Sequence, residues 1–241
     1  MKPNINKTMI TIDNYLDSHY IHRSNWLRAA VLGANDGIIS ISSLAIGIAA
    51  ASSTREPIVL ATIAGLVAGA LSMAAGEYVS VSSQTDTEKA DIAREIKELE
   101  EMPEVELKIL SQIYEKRGLK KETAMQVAIE LTDKDALGTH IRDELGINEI
   151  SQANPIQAAL SSGAAFTIGG VLPLFVILFA PLKGMEYWLY GFTSIFLIVL
   201  GIAAAKTGGS SINKAILRIT IWGTIAMGIS ACVGYIIGVK I

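Results

Sequence analysis

Residues 57–81 read PIVLATIAGLVAGALSMAAGEYVSV, and this stretch decides how the rest of the chain must fold. It carries one charged side chain, Glu77, in 25 residues. Because a helix rises about 1.5 Å per residue, the stretch is long enough to cross a hydrocarbon core of about 30 Å. The polar sequence that follows contains no Gly or Pro until Pro103. We therefore predict a membrane-spanning helix that continues beyond the membrane surface as a polar helix.

The composition indicates an integral membrane protein with one polar insert. The chain has 241 residues, of which 51% are hydrophobic and 18% charged, and its mean hydropathy is +0.42. Of its 23 acidic residues, 17 lie between Gln84 and Ile150. A net charge of -3, without a basic run interleaved with aromatic residues, argues against nucleic acid as a partner. The single Cys232 excludes an internal disulfide.

The predicted fold class is an all-α integral membrane protein, with five transmembrane helices and a three-helix cytoplasmic insert between the second and third spans. The predicted division is an amphipathic N-terminal lead at 1–26, helices one and two in 27–83, an acidic insert at 84–154, and helices three to five in 155–241. We expect the first span, 27–51, to be interrupted by the sequence GANDG at 33–37, and the third span, 155–180, to kink near Pro173. The fourth and fifth spans are predicted at 187–205 and 215–239, with a loop at 206–214.

The distribution of basic residues predicts the orientation. If the insert is cytoplasmic, the short flanks on the inside hold seven basic residues and those on the outside hold three. The positive-inside rule then favours a cytoplasmic N-terminus and a cytoplasmic insert.

The insert is predicted to consist of a helix over 86–101, a second that opens at Pro103 and closes at Gly118, and a third over 121–145 that bends near residues 132–133. Three short helices bury little apolar surface by themselves. We therefore expect a homodimer, in which the insert packs against a second copy.

Two residues point to cation chemistry inside the membrane. Asp36 and Met73 each lie nine residues inside their spans, so on antiparallel helices they reach a similar depth, about 14 Å from the surface. A carboxylate at that depth is costly unless it meets water, a partner or a cation. A hard and a soft ligand together suit a borderline cation such as Fe²⁺, and Glu77 lies one turn nearer the surface. Alternatively, Asp36 caps a broken helix and pairs with Lys206 or a polar group, and Met73 only fills space.

A second candidate site lies in the insert. Its carboxylates form a series that follows helical spacing in part: Asp91, Glu95, Glu98, Glu101, Glu104 and Glu106. Like charges on one helix face repel unless a cation neutralises them, and His140 with Glu144, one turn apart, would complete a metal site from an opposite helix. Basic residues are mixed into the series, so a solvated charged face is the alternative. A lone histidine at such a place is more often a surface residue.

Several motifs resemble the vacuolar iron transporter family, in a bacterial form. The two most specific are WLRAAVLGANDGI at 26–38 and SMAAGEYVS at 72–80. The similarity continues through IYEKRGL at 113–119 and ELG at 144–146, and covers nearly all of the chain after residue 20.

The resemblance implies a dimeric carrier in the bacterial inner membrane that exports Fe²⁺, and often Mn²⁺, from the cytosol in exchange for protons. It implies Asp36 and Met73 as ligands of the translocation path and Glu77 on the entrance route. It also implies an insert that binds metal without a prosthetic group, through Glu95, Glu98, Glu106, His140 and Glu144. His140 lies near a position that is Met in other members. Lys108 and Ile109 stand where relatives tend to carry acidic residues, so we expect the insert to hold fewer ions or to bind them more weakly.

Two other functions remain open from the sequence. A membrane-bound ferritin-like iron oxidase would use similar carboxylates, but the position three residues before His140 is Leu137, so the usual Glu-x-x-His pair is absent there. A metal sensor or scaffold would explain the acidic insert but does not need Asp36 inside the bilayer.

Overall fold

The computed structural model describes residues 24–147 and 154–238, and these residues form seven α-helices. In chain order the helices are α1 (Ser24–Ala51), α2 (Glu56–Glu101), α3 (Pro103–Lys116), α4 (Lys121–Asp143), α5 (Pro155–Phe179), α6 (Met185–Gly208) and α7 (Ile212–Gly238). The predicted N-terminal lead lies outside the described residues except for 24–26, which begin α1.

Five of these helices are long and apolar enough to cross a membrane. The candidate spans are Arg28–Ala51, Glu56–Glu101, Pro155–Phe179, Met185–Gly208 and Ile212–Ile237. The prediction of an all-α membrane protein with five spans is therefore confirmed. The second span is the apolar first part of α2, and the helix continues without a break into the polar sequence that follows it.

The interruption predicted at residues 33–37 is wrong, because α1 runs through the GANDG sequence as a continuous helix. Its two glycines allow close helix packing instead. A Cβ atom at Gly37 would lie 2.1 Å from the carbonyl oxygen of Phe166 on α5, and one at Gly33 would lie 2.6 Å from that of Ser162. Because glycine has no Cβ, the backbones of α1 and α5 can approach each other where these residues face.

The loop predicted at residues 206–214 is also shorter than expected. Helix α6 continues to Gly208 and ends at Gly209, whose φ of 67° is a left-handed conformation that glycine adopts readily. Helix α7 begins only three residues later, at Ile212. In α5, Pro173 lies within a helix that continues to Phe179.

The chain divides into two compact units, one formed by residues up to Glu77 and from Ile156 onward, the other by Tyr78–Pro155. In the first unit, α1 packs against α6 and α7, which also pack against each other. Its core takes buried side chains from all five long helices: Ala45, Ile46, Ile58, Val176, Ile177, Ala180, Met185, Leu189 and Met227. A buried hydrogen bond between the hydroxyl oxygens of Ser42 and Thr193, 2.7 Å apart, links α1 to α6.

The second unit is built on the contact between α3 and α4. Pro103 occupies the start of α3, where its missing N–H costs nothing, and Gly118 follows the helix end with φ of 103°. The two helices share a small core of Leu110, Tyr114, Ala124 and Ala128. Helix α4 is bent, but at Asp135 rather than at the predicted residues 132–133.

Helix packing in the first unit makes a testable prediction on α7. A Cβ at Gly234 would lie 1.9 Å from the carbonyl oxygen of Gly47, whereas a Cβ at Gly228 would meet nothing within 4 Å. We expect Gly234→Ala to lower the free energy of unfolding by about 1–3 kcal/mol, because the backbones must move apart. Gly228→Ala is the matched control, with stability close to wild type. Thermal unfolding in detergent measures both, and equal melting temperatures for the two variants would contradict the predicted contact.

Candidate metal sites

The first candidate site is a cavity of about 210 Å³ within the first unit. Its lining combines a carboxylate, a thioether and two hydroxyls with apolar side chains and two glycines: Asp36, Ser40, Ile41, Leu44, Gly65, Gly69, Ser72, Met73 and Phe166. The structure thus brings Asp36 of α1 and Met73 of α2 to one cavity.

The geometry of the two helices explains which side chains reach the cavity. Asp36 and Ser40 lie four residues apart on α1, and Gly65, Gly69 and Met73 repeat every four residues on α2, so each set shares one helix face. The missing side chain at Gly69 makes room for the ring of Phe166, since a Cβ there would lie 2.3 Å from it. The cavity therefore depends on small residues beside the polar ones.

Asp36 has a hydrogen-bond partner within its own helix. The Ser40 hydroxyl donates to Oδ1 of Asp36. The alternative in which Asp36 caps a broken helix is wrong, because α1 is continuous there. Among the described residues, no basic group lies within ion-pair distance of Asp36, so of the two alternative partners the structure shows the polar group, Ser40, and not Lys206.

Glu77 follows Met73 by one turn of α2 and is half-buried. It is not among the residues that line the cavity. Conversely, Ser40, Ser72 and Phe166 line the cavity but were not predicted as site residues. For Ser40 a signal was present, because it lies one helical turn after Asp36.

The second candidate site is a group of four side chains in the second unit. Glu95 comes from α2, Glu106 from α3, and His140 and Glu144 from the end of α4. Each offers a ligand atom, and these atoms all lie within 4.8 Å of one another. We call these four residues the insert cluster.

Nδ1 of His140 is the point on which the three carboxylates converge. It lies 2.8 Å from Oε2 of Glu144, to which it donates a hydrogen bond, and 2.9 Å from Oε1 of Glu95. Oε2 of Glu106 is 3.9 Å away. The arrangement brings together three helices that the sequence places as much as 49 residues apart, from Glu95 to Glu144.

Burial makes the insert cluster electrostatically unfavourable without a cation. The residues Glu95, Glu106 and His140 are exposed by only 1%, 3% and 0%, so the expectation that His140 is a surface residue is wrong. Within the described residues, Oε1 of Glu95 and Nε2 of His140 have no hydrogen-bond partner. A buried carboxylate oxygen with free lone pairs is a favourable ligand for a cation, so these side chains fit a divalent metal ion of the kind that oxygen and imidazole ligands bind.

The pKa values follow from the same geometry. Burial raises the pKa of Glu95 above its usual value, the charge of Glu144 raises it further, and His140 partly offsets both effects. Burial likewise raises the pKa of Glu106, with Glu144 again adding to the shift. A bound cation would reverse this preference and favour the ionised carboxylates, so binding should release protons.

Glu98, which was predicted as a fifth ligand, does not belong to the group of four. Its Oε2 lies 3.7 Å from Nε of Arg94. Nη2 of the same arginine lies 3.4 Å from Oδ1 of Asp91. The charge of Glu98 nevertheless contributes to the raised pKa values of Glu95 and Glu106. The predicted carboxylate series thus divides into three parts: Asp91, Glu98 and Glu101 pair with Arg94 or Lys97, Glu104 is exposed, and Glu95 and Glu106 belong to the buried part of the cluster.

The raised pKa values predict how stability depends on pH. Between the ordinary carboxyl pKa of 4.5 and the raised value, the folded protein holds protons that the unfolded chain has released, so stability falls as pH rises through this window. Replacing Glu95 by Gln removes one ionisation. We expect metal-free Glu95→Gln protein to melt above wild type at pH 7.5, and the difference to shrink at pH 5.

The titration of Asp143 does not interfere with this stability measurement. Burial alone would raise its pKa, but hydrogen bonds from Arg117, Tyr114 and Arg142 outweigh burial and hold it below the usual 3.8. Its contribution to stability is therefore lost only at more acid pH. Thermal melting in detergent with a chelator measures the effect, and a Glu95→Gln protein that melts below wild type at pH 7.5 would contradict the predicted cost of the ionised Glu95.

Five helices that could span a membrane, a cavity lined by a carboxylate and a thioether, and a largely buried cluster of carboxylates and imidazole define a helical membrane protein with two groups of potential metal ligands. The sequence model of the VIT family matches residues 27–235. The chain therefore belongs to the VIT family.

Curated relatives agree with this membership. A protein of Acanthamoeba castellanii named vacuolar iron transporter is 42% identical over 228 residues, which are 93% of this chain and 84% of that protein. Vacuolar iron transporter homolog 1 of Oryza sativa subsp. japonica is 34% identical, over 88% of this chain and 74% of the relative. A VIT-like transporter 1b of Glycine max is 32% identical, over 93% and 81%. These relatives come from an amoeba and two plants and do not support the expectation of a bacterial form.

Proposed function

We propose that this protein moves divalent transition-metal cations, Fe²⁺ and Mn²⁺, across a membrane and out of the cytosol in exchange for protons. The proposal rests on one observation: Asp36 and Met73 line the same cavity in the membrane-spanning unit. The printed names of relatives, which include vacuolar iron transporter, support iron as cargo.

The cavity offers ligands suited to a borderline cation. The carboxylate of Asp36 supplies charge, the thioether of Met73 supplies a soft donor, and the hydroxyls of Ser40 and Ser72 supply neutral oxygens. Mg²⁺ and Ca²⁺ prefer oxygen ligands alone, so the thioether favours Fe²⁺ over them.

The argument for proton exchange is that an ionised carboxylate without a partner is energetically unfavourable within a membrane. Asp36 needs either a cation or a proton whenever the cavity is closed to water. If the ion leaves on one side and a proton then binds the carboxylate from that side, each cycle carries metal outward and protons inward. We propose Glu77, one turn from Met73, as the residue that receives the ion before it enters the cavity.

We propose that the insert cluster collects the cation from the cytosol. Four ligand atoms within 4.8 Å of one another are a place for one ion rather than several. On α3, Lys108 is exposed and Ile109 is half-buried, so neither adds a carboxylate next to Glu106. The metal is cargo here, and the proposed function involves no prosthetic group.

We further propose a homodimer with a cytoplasmic N-terminus and insert. The dimer has surface available to it, because only 17% of the apolar window of α2 and 11% of that of α7 are buried within one chain. The excess of basic residues on the flanks assigned to the inside supports the orientation.

The first test is metal flux into proteoliposomes made from purified protein, with internal pH recorded. We expect Fe²⁺ and Mn²⁺ to move in the direction opposite to protons, and Asp36→Asn to abolish flux while assembly stays intact. Asp86→Asn is the matched control, because this exposed carboxylate lies on α2 outside both sites and its loss should leave flux unchanged. Transport by Asp36→Asn at the wild-type rate would refute the assigned role of Asp36.

The second test separates the two sites. We expect His140→Ala and Glu144→Gln to weaken equilibrium binding of Fe²⁺ to the full-length protein about 10-fold or more, because each removes a ligand of the insert cluster. Both variants should still carry metal when its concentration is high, since the transmembrane ligands are intact. Binding that persists unchanged in both variants would show that the cluster is not a metal site. Tight binding without flux by wild-type protein would instead favour a metal sensor.

A further inference from the structure

The end of α4, which carries two members of the insert cluster, is a separate helical segment. At Asp135 the backbone adopts φ of -166° and ψ of 86°, so the helix is interrupted there and then resumes. Both His140 and Glu144 follow this interruption. We call residues 136–144 the ligand segment. The orientation of His140 and Glu144 therefore depends on the contacts of the ligand segment itself, and not on the part of α4 that precedes it.

The apolar core of the second unit contributes little to holding the ligand segment, because Leu137 and Ile141 are only half-buried and do not belong to that core. The buried residues of α4 are Ala124, Ala128, Thr139 and His140, and the first two precede the interruption. After it, the fully buried side chains are a threonine and the histidine ligand itself. The position of the segment must therefore be determined largely by directional polar contacts, which impose stricter geometry than apolar packing does.

A side-chain cap determines where the segment begins. Oδ1 of Asp135 accepts a hydrogen bond of 3.0 Å from the backbone N–H of Gly138, and the Thr139 hydroxyl donates to the carbonyl oxygen of Asp135 at 2.7 Å. An aspartate at this place satisfies an N–H group that a helix start leaves free. A Cβ at position 138 would lie 2.1 Å from Oδ2 of Asp135, so a residue other than glycine there would displace the capping carboxylate.

A polar clamp holds the other end of the segment. Oδ2 of Asp143 accepts a hydrogen bond of 2.8 Å from the Tyr114 hydroxyl, and its Oδ1 accepts one of 2.6 Å from Nη1 of Arg117. Nη2 of Arg117 also donates to the backbone carbonyl of Asp143 at 3.1 Å. Tyr114 and Arg117 lie at the end of α3, the helix whose first turn carries Glu106. The clamp therefore ties the segment to the helix that supplies another member of the cluster.

We propose that Asp135 and Asp143 are positioning residues of the insert cluster: they aim His140 and Glu144 at Glu95 and Glu106, and so set the affinity for the metal ion. The inference rests on the proposed metal binding by the cluster. Ligands must be held in place before the ion arrives if binding is not to include the cost of ordering them. Side chains that orient metal ligands contribute about 10- to 100-fold to affinity.

The test is Mn²⁺ binding by full-length protein in detergent, with Asp36→Asn as the common background to weaken the transmembrane site. Titration gives the affinity, and pulsed EPR detects the nitrogen of a coordinated imidazole. We expect Asp135→Ala and Tyr114→Phe each to weaken binding about 10-fold and to reduce the nitrogen coupling. Asp135→Asn should restore both, because asparagine caps a helix start as well as aspartate does.

A control distinguishes positioning from general loss of stability. Glu130 is exposed and lies on α4 before the interruption, so Glu130→Gly lowers helix stability without touching the cap, the clamp or the core that contains Tyr114. We expect its Mn²⁺ affinity to equal that of the background protein, even if its melting temperature is as low as that of Asp135→Ala. Equal weakening in Glu130→Gly and Asp135→Ala, or unchanged affinity in Asp135→Ala and Tyr114→Phe, would overturn the inference. If the background protein bound no Mn²⁺ and showed no nitrogen coupling, the insert cluster itself would be refuted as a metal site.

Discussion

A carboxylate held away from water must be neutralised by a proton, a basic group or a cation. This constraint acts directly on the buried Glu95 and Glu106, and it applies to the half-buried Asp36 where a membrane surrounds its helix. In the first unit the only polar contact that the structure shows for the Asp36 carboxylate is with a hydroxyl of its own helix. In the second unit three carboxylates converge on one imidazole. Each site lacks enough positive charge of its own, so each is suited to bind and release a cation.

The two units meet this constraint with different kinds of packing. In the first, glycines allow the backbones of α1 and α5 to approach where Gly33 and Gly37 face Ser162 and Phe166. The polar ligands there lie on long helices whose positions are determined by extensive apolar contact. In the second unit the ligands lie near helix ends, where a cap and hydrogen bonds to α3 hold them. This difference suits the proposed roles: the proposed transmembrane path must keep its shape, and the proposed collecting site must admit and release an ion.

Membership of the VIT family and the geometry of this chain support each other without being the same evidence. The family match covers residues 27–235 and so includes both candidate sites. The geometry adds a detail that the family match does not give: the carboxylates of Glu95, Glu106 and Glu144 converge on the imidazole of His140. An imidazole among carboxylates moves the metal preference of a site away from Mg²⁺ and Ca²⁺ and toward transition metals.

The sequence by itself determined the five spans and the helical nature of the polar region, because apolar length and helix-end signals such as Pro103 and Gly118 act locally. It also placed Gly65, Gly69 and Met73 on one face of α2, since helical periodicity is a local property. The prediction of a helix break at residues 33–37 was wrong, because glycine occurs both at helix breaks and where two helices pack closely. Only the packing of α5 against α1 shows which of the two applies here. Which carboxylates of the acidic series are buried was likewise decided by tertiary structure. Glu95 and Glu98 are three residues apart on the same helix, and only the approach of α3 and α4 removes one of them from water and leaves the other with Arg94.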